Sequence, residues 1–391
     1  MFSRLIFVFL IKTFFSQKIT LYQSSIVDPF IFYMNNTYQE GYNISMGFGY
    51  HALFHSMKLN MLNNFTFTPV FSYDTQDECS SIVQREHFRD FKGMCTIEAL
   101  ECAGMINIDS YDCLISEFKF YLGSRKPFVG CLGLSHVIER EEYSLIHQLK
   151  RKNQINENAF GFINHNNEYK FYLGSIPPQY NTFANKGECQ VNPISSNWMC
   201  LYDEIIFNDL HFVPSVTFLV VFNSGQYEIF VTKELWQFIM NVFESFIKKK
   251  LCNHIQIDNC QVIQCKKGIE KKLKEFVLII GEFVYRIPSY KLFKVINSDG
   301  SVELNLKYKE DYSTSLTLGT SFLSLFDVVS FSYDEGIAKF HTNNHNMIMT
   351  VVKWNLFKEK NYYVIKIMYN LISFCLIVIT LFNYYVLKTK K

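Results

Sequence analysis

Phe218-Leu219-Val220-Val221-Phe222-Asn223-Ser224-Gly225 decides how this chain is read. The apolar, β-branched run reads as a buried strand, and Asn-Ser-Gly reads as the loop that ends it. A matching segment lies far upstream: Phe48-Gly49, a strand-like run through Leu59, then Asn60-Met61-Leu62-Asn63-Asn64 and Pro69. In both, a strand runs into a loop that opens on asparagine.

The surrounding chain suits two such halves. Its 391 residues are enough for two domains with sizeable cores. With 49% hydrophobic and 19% charged residues, a packed chain is expected. The 39 Phe and 24 Tyr favour strands over helices. A net charge of +2 gives no ground for a nucleic-acid partner. Short alternating runs at 42–49, 56–60, 118–122, 169–173, 204–207, 217–222, 276–280, 301–308 and 330–340 predict strands. Only 142–150 and 233–249 predict helices. The second spaces Leu235, Phe238, Ile239, Val242, Phe243 and Phe246 along one face.

Both ends are apolar. Arg4 followed by an apolar run and Ser16 reads as a signal peptide over 1–16, too short to span a bilayer. Residues 367–387 supply the ~20 mostly apolar positions of one membrane-spanning helix. Lys388, Lys390 and Lys391 follow at once and assign the tail 388–391 to the cytosol. The region between then faces an oxidising lumen or the exterior. Ten of the cysteines lie there, and an even count in that compartment argues for disulfides. Cys189 and Cys200 suit a hairpin clip; Cys252, Cys260 and Cys265 form a second cluster. Asn35, Asn43 and Asn64 each open an Asn-x-Ser/Thr glycosylation sequon.

Further segments fall in a recognisable order. Gly104-Met105-Ile106-Asn107-Ile108-Asp109 precedes Phe128-Val129-Gly130-Cys131-Leu132-Gly133-Leu134, and Phe160-Gly161-Phe162 precedes Tyr172-Leu173-Gly174-Ser175-Ile176. After Asn223 come Leu316-Thr317-Leu318-Gly319-Thr320-Ser321-Phe322-Leu323 and a closing hairpin over 328–340. This order resembles that of the pepsin-like aspartic proteases. Their two lobes each present a strand–loop reading Asp-Thr/Ser-Gly-Thr/Ser. The resemblance implies a mainly β, bilobal fold with lobes at 17–176 and 177–345, a stalk at 346–366 and the C-terminal transmembrane helix. Counting without a gap from Gly49 puts Asn60 at the first aspartate, and the second loop puts Asn223 at the other. Tyr73-Asp74-Thr75-Gln76 offers a rival first loop, but leaves too little chain before the strand at 104–109.

Catalysis in that family needs two carboxylates sharing a proton, one as base on water and one as acid toward the carbonyl. An amide neither titrates near neutral pH nor offers a base's lone pair at its NH2. The resemblance also puts the family's lid tyrosine on Ile97 and two lid glycines on Glu98 and Leu100, which argues against a tight hairpin there. Leu62 replaces a loop glycine, implying a changed first loop, whereas Ser224 and Gly225 keep the second. The expected protein is inactive, needs no metal or cofactor, and uses its cleft for a peptide or protein ligand. The rival expectation is an active membrane-anchored aspartic endopeptidase.

The terminal segments generate the first prediction. Full-length protein in sealed vesicles should keep its region up to about residue 363 protected from external protease, with only the tail removed. Digestion of that region from the cytosolic side would reverse the topology.

Overall fold

A computed structural model describes residues 28–37, 41–48, 54–63, 66–69, 79–90, 93–108, 111–123, 130–136, 143–165, 168–183, 185–215, 219–312, 314–344 and 346–351. The segments 1–16 and 367–387, together with Asn64 and Asp74, lie outside these residues. Among the described residues no helix is long and apolar enough to cross a membrane.

The fold is mainly β with few helices, as the strand and helix patterns predict. One six-stranded sheet ties the two halves of the chain together. Its order is Phe30–Tyr33, Glu168–Leu173, Ala159–His165, Val328–Ser332, Ile337–Thr342 and Asn185–Gln190. The seam is an antiparallel pair in which Phe160 meets Phe331 and Phe162 meets Val329. Aromatic packing seals it: Phe160 stacks on Phe331 with ring centroids 5.2 Å apart, and Trp198 meets Phe331 edge-on at 5.1 Å. The Trp198 indole also donates to the Leu134 carbonyl at 2.6 Å.

An internal two-fold emerges from strand pairing, although no sequence repeat is visible. In the first half, His55–Asn60 runs parallel to Cys131–Gly133, which meets Phe67–Pro69 antiparallel at Phe67; Phe67–Pro69 then runs parallel to Tyr111–Gly123. In the second, Leu219–Phe222 runs parallel to Leu316–Leu318, which meets Ile229–Phe230 antiparallel at Phe230; Ile229–Phe230 then runs parallel to Leu306–Lys307. Each step of one set has its counterpart in the other.

The helix at Lys233–Lys248 forms for legible reasons. Thr232 caps it by accepting the Leu235 N–H at 3.2 Å, and Glu234 and Lys248 sit at the ends that suit their charges. Leu235, Trp236, Ile239, Val242 and Phe243 bury one face. The second helix starts later than predicted, at Leu145–Arg151, because Ser144 supplies its cap.

Two departures from the sequence reading are physical. The single strand predicted at 301–308 divides into Val302–Leu304 and Leu306–Lys307, which join different sheets. Asn305 separates them: its N–H donates to Leu292 O at 2.7 Å and its carbonyl accepts Ile229 N–H at 3.0 Å. The second departure concerns 79–108. A long hairpin, Cys79–Asp90 with Gly93–Ile108, stands where a tight hairpin was not expected. Asp90 pairs with Gly93, and Ile97 lies mid-strand opposite Glu86. The changed residues at 98 and 100 are ladder positions that need no glycine.

Disulfides join Cys189 to Cys200 and Cys252 to Cys265, and Cys102 is disulfide-bonded as well. They point to an extracellular or secretory-pathway environment. Cys260, the third member of its cluster, keeps a half-buried thiol. Asn35 is exposed, as a sugar acceptor must be. Asn43 is only 2% exposed, and its Nδ2, the atom a glycan would occupy, donates to Gly41 O at 3.1 Å. That burial corrects the sequon reading at Asn43.

His341 lies buried in the shared sheet, with neither ring nitrogen hydrogen-bonded. Burial first, then the nearby Lys186 and Lys339 charges, hold it neutral, lowering its pKa from 6.5 to about 4. The unfolded chain therefore takes up this proton first. The stability this residue contributes is complete above about pH 6.5 and declines as pH falls toward 4. Unfolding free energies from urea titrations between pH 7 and 4.5 should fall by up to about 1.4 kcal/mol per pH unit from this residue. His341→Leu should flatten that decline, and an unchanged slope would remove His341 as its source.

Candidate functional site

The two asparagine loops meet where the internal two-fold puts them. Asn60 ends the strand His55–Asn60, and Asn223 follows the strand Leu219–Phe222. Each loop is tied to the strand crossing beside it: Leu134 N–H donates to Asn60 O at 2.9 Å, and Asn223 N–H donates to Leu318 O at 3.0 Å. Both side chains are buried, at 5% and 3% exposure.

Their local turns match. Asn60 Oδ1 accepts the Leu62 N–H at 2.9 Å, and Asn223 Oδ1 accepts the Gly225 N–H at 2.9 Å. These are Asx turns, in which a side-chain oxygen holds the backbone two residues on. Neither Leu62 nor Gly225 has a left-handed backbone. Leu62 therefore fits the same turn as Gly225, and the changed first loop expected from its side chain is not needed.

A Cβ built on Gly225 would lie 3.3 Å from Asn223 Oδ1 and 3.5 Å from Asn60 Cγ. The two amides thus converge on one glycine. Ser224 links the halves directly, its Oγ donating to Leu59 O at 2.6 Å. Met61, at the corresponding place in the first loop, is buried and carries no hydroxyl to return the bond.

Gln226 completes the second loop. Asn223 Nδ2 donates to Gln226 Oε1 at 2.9 Å, and Gln226 Nε2 donates onward to Glu228 O at 3.3 Å. The relay has a direction: the end of Gln226 that faces residue 223 is an acceptor and demands a donor.

Sequence reasoning missed Gly41 and Tyr42. Tyr42 N–H donates to Ser224 O at 2.9 Å. Gly41 has φ +72°, and a Cβ there would lie 2.4 Å from Ser224 O. The only signal in the sequence is a glycine opening a predicted strand. Ile97 lies on its hairpin strand, away from the turn, and Asn64 remains outside the described residues.

A cavity of about 150 Å3 adjoins the first loop. Leu62, Met199, Leu219, Val221, Thr314 and Thr317 line it. Asn197 and Ser315 complete a lining of both apolar and polar side chains.

No protein-family profile matches the chain, and no curated protein matches it in sequence. Among solved structures, the aspartic proteinase from Irpex lacteus is similar with a TM-score of 0.64 at 12% identity. The match covers 82% of this chain and 99% of that one. The fold is that of a pepsin-like aspartic proteinase.

Asn223→Asp tests the relay. A carboxylate at this position would face Gln226 Oε1, and Gln226 could turn only by giving up Glu228 O. Burial and this acceptor should raise the new acid's pKa above its unfolded value. The variant should lose about 1–3 kcal/mol at pH 7. The loss should shrink as pH falls through the raised pKa, because a protonated acid can donate to Gln226. Urea unfolding at pH 7 and pH 5 measures it. Equal stability to the parent at both pH values would show that residue 226 does not discriminate amide from acid.

Proposed function

We propose that this chain is a pepsin-like protein without peptidase activity, which binds an extended peptide or protein segment in the cleft between its lobes. The observation that carries this reading is the convergence of Asn60 and Asn223, from equivalent loops, on Gly225. In the pepsin-like pattern these are the places of the two acids. With amides there, no shared proton exists, and neither a base for water nor an acid for the carbonyl is supplied. Groups that act as a unit fail together, so the whole mechanism goes.

Binding needs no carboxylate. The cavity beside Leu62 is smaller than the ~300–1,000 Å3 of small-molecule sites. Its size suits a single side chain of an extended segment, with apolar walls and the hydroxyls of Thr314 and Thr317. Backbone groups of such a segment would supply most of the hydrogen bonds, and this cavity the selectivity. In the same reading, lobes 17–176 and 177–345 follow a signal peptide and form a lumenal or extracellular region. The stalk 346–366 and a helix at 367–387 hold it to a membrane, and Asn35 carries a glycan.

The full-length protein should leave denatured protein and peptide substrates intact from acid to neutral pH. The measurement is peptide release with and without a pepstatin-type inhibitor. Inhibitor-sensitive turnover by the unmodified protein would make it an active endopeptidase instead.

A further inference from the structure

Far from the cleft floor in sequence, one face of the second half gathers positive charge. Lys248-Lys249-Lys250 ends the long helix, and Lys266-Lys267-Gly268-Ile269-Glu270-Lys271-Lys272-Leu273-Lys274 follows fifteen residues later in the chain. Three features bring the two stretches together. The Cys252–Cys265 disulfide pins the hairpin between them, with Cα atoms 4.0 Å apart. Lys266 N–H donates to Leu251 O at 2.9 Å. Successive turns then fold the second stretch, Ile269 N–H to Lys266 O at 3.3 Å and Lys272 N–H to Ile269 O at 2.9 Å.

The second stretch is oriented by its few apolar residues. Ile269 and Leu273 are buried, and Ser289 Oγ shares its one proton between Glu270 O at 2.7 Å and Leu273 O at 2.8 Å. The lysines are left pointing outward, and all eight are exposed. The two stretches hold eight lysines against one acid, Glu270, in a chain whose net charge is only +2. Glu244 pairs with Lys248, and Asp209 with Lys274. Asp299 stands nearby, next to the Gly300 that touches the Lys267 side chain. Among the described residues, Lys249, Lys250, Lys266, Lys267, Lys271 and Lys272 are in no ion pair.

The helix end explains Lys248 and its neighbours through the macrodipole. It does not explain five more lysines on a loop fixed against it. Like charges held this close repel, and an anionic partner relieves that cost.

We propose that this face docks a flexible anionic polysaccharide. The lysines sit on an open surface, so they suit a diffuse chain of charges rather than a ligand needing an enclosed pocket. Their mobile ammonium groups can follow repeating sulfate or carboxylate groups without fixed bidentate geometry. Affinity is then carried by released counterions and falls steeply with salt.

The test uses the full-length protein and immobilised heparin as the sulfated polysaccharide. The parent should be retained at physiological ionic strength and elute in a salt gradient. Changing Lys249, Lys250, Lys266 and Lys267 to Gln should lower the slope of log affinity against log salt by roughly one unit per contacting lysine. The same four changed to Arg should keep retention, which separates charge from folding defects. A charge-matched control, with Arg151, Lys152, Lys186 and Lys233 changed to Gln, should elute like the parent. Three results would overturn the proposal: no retention of the parent, equal loss in the control, or binding to phosphatidylserine vesicles without binding to heparin.

Discussion

The hydrogen bond from Ser224 Oγ to the Leu59 carbonyl is the contact on which the site depends. It is short, buried, and made between loops 165 residues apart in sequence. A buried carbonyl without a donor costs about 1–3 kcal/mol, so this bond both aligns the halves and resists their sliding. The internal two-fold would supply a second such bond from position 61, but Met61 has only a thioether. The junction is therefore fastened from one side. Tyr42 N–H on Ser224 O supplements it, which is why Gly41 must pass so close.

Asparagine sets the hydrogen bonds at this junction. In both loops the side-chain oxygen is consumed by the backbone two residues on, a task aspartate performs equally well. The difference lies at the other amide atom. Asn223 Nδ2 is matched to an acceptor, Gln226 Oε1, whose own amide is committed to Glu228 O. The neighbour at 226 thus fits an amide at 223. Beyond it, Glu228 belongs to a partly buried cluster with Lys307, Glu303 and Lys294. The Glu303 carboxyl is held below the usual range: Gln264, Lys294 and Lys307 outweigh the burial that would raise it.

Much of the fold was legible because its determinants are local. The run before Asn223 and the spacing in the long helix each carry a pattern that burial and backbone geometry require. The loops were legible as a pair because both open on Asn after a strand. The long hairpin at 79–108 was less so: its strands pair through positions 98 and 100, where the resemblance puts lid glycines. The break at Asn305 was hidden because it follows from two bonds to distant backbone. The role of Gly41 was hidden for the same reason, since its neighbour is in the other half of the chain. Clustering of lysines by the Cys252–Cys265 bridge could be read only once that pairing was known.

The shared six-stranded sheet has a consequence for how the chain is made. Ala159–His165 acquires its neighbour Val328–Ser332 only after most of the polypeptide has been synthesised. Until then an apolar strand edge, flanked by Phe160 and Phe162, stands open to unintended pairing. Contacts this distant in sequence also form slowly, because the loop must close before they contribute. Biogenesis is thus the vulnerable stage of this molecule. The first half emerges with its central seam unfinished, and a truncated product ending before residue 328 would keep that edge exposed for its lifetime.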